Sequence, residues 1–114
     1  MTNNKYSTLI SKLIDSTKEN RLNWQKTSRQ NEYSTEVSSY MVSIVLLSPG
    51  TFVIGKDRNE TYALTLINEE GDNIDTQEIT HSNPDFDNIA NLYAEAKRSF
   101  YKVDEVLESL IQNL

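Results

Sequence analysis

The most regular hydrophobic pattern in the chain runs through its last third, from Asn83 to Leu114. Apolar residues recur there at alternating spacings of three and four, at Phe86, Ile89, Tyr93, Ala96, Phe100, Val103, Leu107, Leu110 and Leu114. This is the a/d repeat of a heptad, which places side chains along one side of an α-helix. Further apolar residues widen the stripe, namely Leu92, Val106 and Ile111. The pattern predicts a long amphipathic C-terminal helix.

A helix of this length needs a long surface to cover its apolar side. Asn83 or Ser82 can cap its start, and Pro84 suits the first turn. About thirty residues of helix would extend about 45 Å, more than a small sheet can cover. Two outcomes therefore stay open. Either the helix kinks near Lys102–Asp104, where Asp104 could cap a second segment, or its end projects and finds a partner.

A second amphipathic helix is predicted over residues 4–19, ending at Asn20, a residue that tolerates the left-handed conformation. Its apolar face comprises Tyr6, Leu9, Ile10, Leu13 and Ile14. Leu22 and Trp24 then alternate with polar residues, which indicates a short extended piece. We interpret Trp24 as a core residue. The alternative is an exposed stacking or anion-contact patch with the basic residues Lys18, Arg21, Lys26 and Arg29 around it.

The middle of the chain alternates between apolar and polar residues, as strands do. The predicted strands are 32–37, 40–47, a short edge piece at 51–55, 60–68 and 72–80. Residues 40–47 are apolar on both faces, which is typical of a central strand or one covered on its second face. Gly71 suits the positive φ of a hairpin loop. Asp75 and Glu78 would discourage pairing at the sheet edge.

These elements predict a single α+β domain over residues 1–114. Its order is an N-terminal amphipathic helix, an antiparallel β-meander of three to five strands, and the long helix, continuous or kinked. Because both helices need to bury an apolar face, we expect them on one face of the meander, which gives a two-layer α/β sandwich.

The charge is unevenly placed along the chain. The net charge is −6, yet residues 1–58 carry 8 basic and 5 acidic side chains, whereas residues 59–114 carry 3 basic and 12 acidic ones. Phosphate binding requires the opposite sign, so we expect no direct nucleic-acid binding. The longest aliphatic run, Ile44–Leu47, is too short to span a membrane. Residues 1–5 lack an apolar signal core, and we expect a cytoplasmic protein with no membrane contact.

Candidate chemistry is sparse. The chain has no Cys and one His, His81, so thiolate catalysis and Cys-based metal sites are excluded. The start of the last helix explains Asp85 and Asp87 near His81. The acidic residues around Gly71 do not match a calcium-loop spacing, and no glycine-rich phosphate loop exists. We therefore expect no catalytic, cofactor-binding or metal-ligating residue, and no enzyme activity.

Several short motifs together resemble a widespread group of small bacterial proteins of unassigned function. They are Leu13-Ile-Asp-Ser-Thr17, Leu22-Asn-Trp24, Tyr62-Ala-Leu-Thr-Leu66, Gly71, Leu92-Tyr-Ala-Glu-Ala96 and Val103-Asp-Glu-Val-Leu107. In such proteins a Gly often precedes the Val-Asp-Glu step, which implies a helix break, and Lys102 occupies that place here. The resemblance implies a bacterial, cytoplasmic, single small domain and adds no catalytic residue.

Two functional hypotheses follow from these patterns. The first is a non-enzymatic protein–protein interaction module that forms a homodimer through the last helix or an uncovered sheet face. Its candidate contacts are Phe100, Val103, Leu107, Leu110 and Leu114. The alternative is an acidic regulator or inhibitor from a mobile element that binds a basic site on a partner protein. Its candidate contacts are Glu69, Glu70, Asp72 and Asp75.

Overall fold

A computed structural model describes residues 4–48 and 60–114 and shows the predicted order of elements. The elements are α1 (Asn4–Lys18), β1 (Gln25–Lys26), β2 (Glu32–Val37), β3 (Tyr40–Ser48), β4 (Thr61–Ile67), β5 (Asn73–Ile79), α2 (Phe86–Phe100) and α3 (Val103–Gln112). The α+β class is therefore confirmed. The predicted edge piece at residues 51–55 lies outside the described residues.

The five strands form one antiparallel sheet in sequence order, β1-β2-β3-β4-β5. β3 lies at its centre, where Ile44 pairs with Tyr33 of β2 and with Leu64 of β4. Gly71 has a φ of 88° in the β4–β5 hairpin, as its position predicted. The prediction that β3 is a central strand holds, since Ile44 and its neighbour Val45 point to opposite faces and are both buried.

Helices α1 and α2 cover one face of this sheet. The buried core takes Ile10, Leu13 and Ile14 from α1, Tyr33, Val42, Ile44, Tyr62, Leu64 and Ile79 from the sheet, and Phe86, Ile89, Leu92, Tyr93 and Ala96 from α2. The sheet residues in this set alternate along each strand, so they share one face. The first half of the heptad stripe is thus buried in the core of the same chain.

The end of α1 is set by Asn20. Its φ is 59°, and the N–H groups of Asn20 and Arg21 donate to the carbonyls of Thr17 and Ser16. These two bonds form a Schellman motif, which satisfies carbonyls that the helix end would leave free. The chain can then turn towards the sheet with Trp24.

Trp24 lies in the core, as interpreted from the sequence. It is 2% exposed, and its Nε1–H donates to Thr17 Oγ1 at 2.9 Å. The Thr17 hydroxyl in turn donates to the Leu13 carbonyl at 2.6 Å. Because a buried indole N–H needs an acceptor, Thr17 allows the ring to be buried whole.

The start of α2 differs from the prediction. The helix begins at Phe86, and Asp85 rather than Asn83 is its N-cap, without a side-chain cap bond. Asn83 Oδ1 instead accepts from the Asp85 N–H at 2.8 Å, and the Asp85 carboxylate accepts from Ser7 Oγ at 2.9 Å. The local turn around Asn83 competes with the helix and moves its N-cap from Asn83 to Asp85.

Candidate interaction site: the C-terminal helix

The heptad stripe divides into two halves with different surroundings. In α2, the stripe residues Ile89 and Ala96 are fully buried, whereas α3 has no buried residue. On α3, the exposed fraction is 46% for Leu107, 56% for Leu110 and 70% for Ile111. We define the α3 face as Val103, Val106, Leu107, Leu110, Ile111 and Leu114. This face is the apolar half of a helix that packs on little of its own chain.

A sharp elbow at Tyr101 and Lys102 separates the two helices. The Tyr101 and Lys102 N–H groups donate to the carbonyls of Lys97 and Ser99, which closes α2. Lys102 then takes the left-handed conformation, with φ 52° and ψ 50°. Of the two outcomes left open by the sequence, the structure shows the kink. The prediction that Asp104 caps the second helix was wrong, since Lys102 is the N-cap of α3 and Asp104 pairs with Arg98.

Tyr101 ties the elbow to the sheet. Its ring meets the Phe100 ring edge-on at 4.9 Å between centroids, and the Tyr33 ring at 6.5 Å. Its hydroxyl accepts from Lys26 Nζ at 3.5 Å. Hydrogen bonds from Tyr33 and Lys26 lower the pKa of Tyr101, while burial and the bond to Tyr101 raise the pKa of Tyr33 to about 12. The elbow is thus anchored at the β1–β2 edge of the sheet.

These tyrosines give a prediction on alkaline stability. Burial is the main cause that raises the pKa of Tyr33 from 10.0 to about 12. Burial, together with a hydrogen bond to Asp75, also raises the pKa of Tyr6 to about 12. Because the folded state favours the neutral phenols, this stabilisation is complete below pH 10 and disappears as the pH rises towards 12. We expect the free energy of unfolding to fall over that window. Tyr33→Phe should remove the contribution of one titrating proton to the pH dependence of the free energy of unfolding. Urea denaturation at a series of pH values measures this contribution.

The outcome that would contradict this assignment is an unchanged alkaline slope in Tyr33→Phe. Tyr101 offers a graded second variant, because its bond to Tyr33 is one of the causes that raise the pKa of Tyr33. Tyr101→Phe should therefore flatten only part of the loss between pH 10 and 12, since burial, the largest cause of the raised pKa of Tyr33, remains in that variant.

The sequence-predicted contact residues do not all belong to the α3 face. Phe100 is only partly exposed, and its ring lies 5.7 Å from that of Tyr33. It therefore belongs mainly to the core. Val103 is partly exposed at the start of α3, and Leu107, Leu110 and Leu114 are exposed. The structure adds Val106 and Ile111, which the sequence marked only as a widening of the stripe.

The four acidic candidates of the alternative hypothesis do not form one patch. Glu69, Glu70 and Asp72 are exposed at the β4–β5 hairpin tip. Asp75 lies on β5 and accepts hydrogen bonds from Tyr6 Oη and Gln77 Nε2, with the Tyr6 bond as the main cause of its lowered pKa. The acidic-regulator hypothesis stays a prediction, carried by three of its four residues.

The hairpin tip is shaped by Asn68, a residue that sequence reasoning missed. Its Oδ1 accepts from the backbone N–H groups of Glu70 and Asp72, at 3.0 and 2.9 Å. An Asn followed by Glu-Glu-Gly was the available signal, since Asn side chains commonly bind the backbone two residues on. This turn presents the carboxylates outward and leaves Gly71 at the positive φ.

A cleft beside the elbow offers mixed chemistry. A cleft of about 440 Å³ lies between the end of α1 and the elbow. Both signs of charge line it, with Lys18, Arg98 and Lys102 beside Glu95, Asp104 and Glu105. Within residues 4–48 and 60–114, no three His, Asp or Glu side chains are grouped to hold a metal ion. In the same ranges, none of the helices is both long and apolar enough to cross a membrane.

Comparison of the chain with protein-family models, curated proteins and solved structures found no match. The resemblance to a group of small bacterial proteins therefore stays a prediction from the sequence. Function is therefore inferred from the geometry of α3 and its elbow.

Proposed function

We propose that this protein is a non-enzymatic interaction module that self-associates through the α3 face. The observation that carries the proposal is a ten-residue helix with no buried residue and an apolar side turned to solvent. Contiguous exposed apolar side chains are unfavourable in water and commonly mark a contact surface. The resemblance noted above supports a bacterial, cytoplasmic setting.

The charges on α3 favour a second copy of the chain as the occupant. The α3 face carries no charged residue, so two such faces can meet without opposing like charges. Glu105 and Glu108 lie on the opposite side of the helix, Asp104 borders the face one heptad before Ile111, and residues 103–112 include no Lys or Arg. A helix that binds an anionic membrane needs basic residues beside its apolar face. These features support self-association over membrane binding.

The size of the face sets the expected affinity. A stable interface of standard size buries about 800 Å² per partner, from about 20–30 residues a side. The six side chains of the α3 face supply only part of this area. Tyr101, which is 47% exposed beside the face, extends it towards the sheet edge. We expect a dimer of micromolar rather than nanomolar dissociation constant.

Sedimentation equilibrium of the intact chain and of a chain ending at Lys102 tests this proposal. We expect the intact protein to move from monomer to dimer between about 1 and 100 μM. The shortened chain should stay monomeric and keep its urea midpoint, since α3 has no buried residue. An intact protein that remains monomeric at several hundred micromolar would contradict the proposal. Unfolding of the shortened chain would show that α3 belongs to the core instead.

A further inference from the structure

The elbow breaks the helix at a point where the heptad spacing of apolar residues continues in the sequence. Phe100, Val103 and Leu107 continue the spacing of three and four across Tyr101 and Lys102 without a skip. A helix break resets the angular phase between two segments, so a bent chain gains nothing from this continuity. A continuous helix does require it, because only then do all the stripe residues lie along one side.

Lys102 also occupies a conformation that its side chain disfavours. A φ of 52° places its Cβ against the following carbonyl, which is why glycine usually fills such positions. In a continuous helix Lys102 would be right-handed, and the N–H groups at the start of α3 would regain partners in α2. The bend is therefore a locally strained state.

Few contacts offset that strain. Within residues 4–48 and 60–114 they include the ring contacts and hydroxyl bonds of Tyr101 and the ion pair between Arg98 and Asp104, whose side chains are 46% and 83% exposed. An ion pair exposed to that degree adds little stability. Because α3 buries no residue, its release from the bend would break none of the core.

The course of α2 shows where a straightened α3 would go. The Phe86 ring lies 5.8 Å from Tyr62 on β4, and the Phe100 ring lies 5.7 Å from Tyr33 on β2. Helix α2 thus crosses the sheet towards its β1 edge. Twelve more helical residues would extend about 18 Å, whereas one further strand covers about 5 Å. Most of α3 would then overhang the edge with its apolar side facing the same way as the buried side of α2.

We propose, as an extension of the proposed function, that self-association straightens the elbow. In this scheme α2 and α3 join into one continuous helix, and the overhanging α3 face packs against that of a second copy. The bent monomer and the straight dimer are two states of one switch, and the conformation of Lys102 sets the balance between them. The apparent association constant is then multiplied by the square of the straight fraction, because both copies must be straight to pair.

Two substitutions at Lys102 shift this balance in opposite directions. Lys102→Gly removes the strain of the left-handed conformation and also weakens a continuous helix. Lys102→Thr makes the left-handed conformation harder, because a β-branched residue is an outlier there. Both variants lose the same charge, so each controls for the other. We expect the Thr variant to dimerise at least about tenfold more tightly than the Gly variant in sedimentation equilibrium.

A distance measurement reports the straightening directly. The chain has no Cys, so Asn91→Cys and Ser109→Cys place spin labels only at two exposed sites, one on each helix. A continuous helix separates their Cα atoms by about 27 Å, and the elbow shortens that distance. Labelled protein diluted into an excess of unlabelled protein reports the distance within one chain. We expect the fraction of molecules at the longer distance to increase with total protein concentration.

The outcomes separate this inference from the proposed function. Tighter dimerisation of Lys102→Thr together with the longer distance supports the switch. A dimer that keeps the short distance, or that forms as well or better with Lys102→Gly, overturns the switch and leaves self-association intact. Protein that stays monomeric in both variants and in the native chain overturns both.

Discussion

Replacing Trp24 with alanine should lower the free energy of unfolding by about 3–5 kcal/mol. The side chain is 2% exposed and joins the end of α1 to the core under the sheet. Its removal leaves a cavity that the surrounding core residues cannot fill without moving. Urea denaturation followed by circular dichroism measures the loss, since the variant has no Trp fluorescence.

Two further variants separate packing from hydrogen bonding at this site. Thr17→Val keeps the shape of the Thr17 side chain but removes the acceptor for Trp24 Nε1–H, so we expect a loss of about 1–3 kcal/mol. Gln25→Ala, next to Trp24 on the exposed strand β1, should change stability by less than about 0.5 kcal/mol. A loss below about 1 kcal/mol for Trp24→Ala would show that the ring is not part of the core.

The sheet and the two main helices could be predicted because each has a strong period in its sequence. Residues 32–37 alternate and form β2 with those bounds, and the stripe from Phe86 to Ala96 packs as an apolar helix face should. Hydrophobic burial decides these elements, and the sequence carries that information residue by residue. The N-terminus of α2 was misplaced because a local turn at Asn83 competes with the helix, which periodicity does not report.

The division of the heptad stripe could not be predicted for a different reason. Phe100 and Leu107 are equivalent in the repeat, yet the first packs on Tyr33 and the second is exposed. The difference arises at Lys102, which takes the left-handed conformation next to Tyr101, a residue in contact with distant strands. The spacing of apolar residues along one helix carries no information about contacts with distant strands. The sequence could therefore state the two outcomes but not choose between them.

The acidic hairpin shows how closeness in sequence can mislead. Asp75 pairs with Leu66 in the sheet, so its side chain shares the face that α1 and α2 cover. There it binds Tyr6, away from Glu69 and Glu70 at the tip. The two-residue period of a strand was a usable signal, since Asp75 lies four residues before Ile79 and therefore on the same face of the strand. Register, rather than charge, decides which carboxylates form a group.

Replacing Leu110 with glutamate should weaken self-association at least 100-fold, which corresponds to about 2.7 kcal/mol. Leu110 lies in the middle of the α3 face and is 56% exposed in the isolated chain. In a two-fold dimer each substitution occurs twice, so two carboxylates would enter an apolar contact that offers them no cation. Sedimentation equilibrium over the range used for the native chain measures the shift.

Ser109→Glu is the matched control, because it adds the same charge one residue earlier on the exposed polar side of α3. We expect it to change the dissociation constant less than about threefold, the range of a surface substitution away from a contact. Both variants should keep the urea midpoint of the native monomer, since α3 has no buried residue. Equal weakening by the two would mean that net charge, and not the α3 face, governs association. Loss confined to Leu110→Glu would assign the contact to the apolar side of α3.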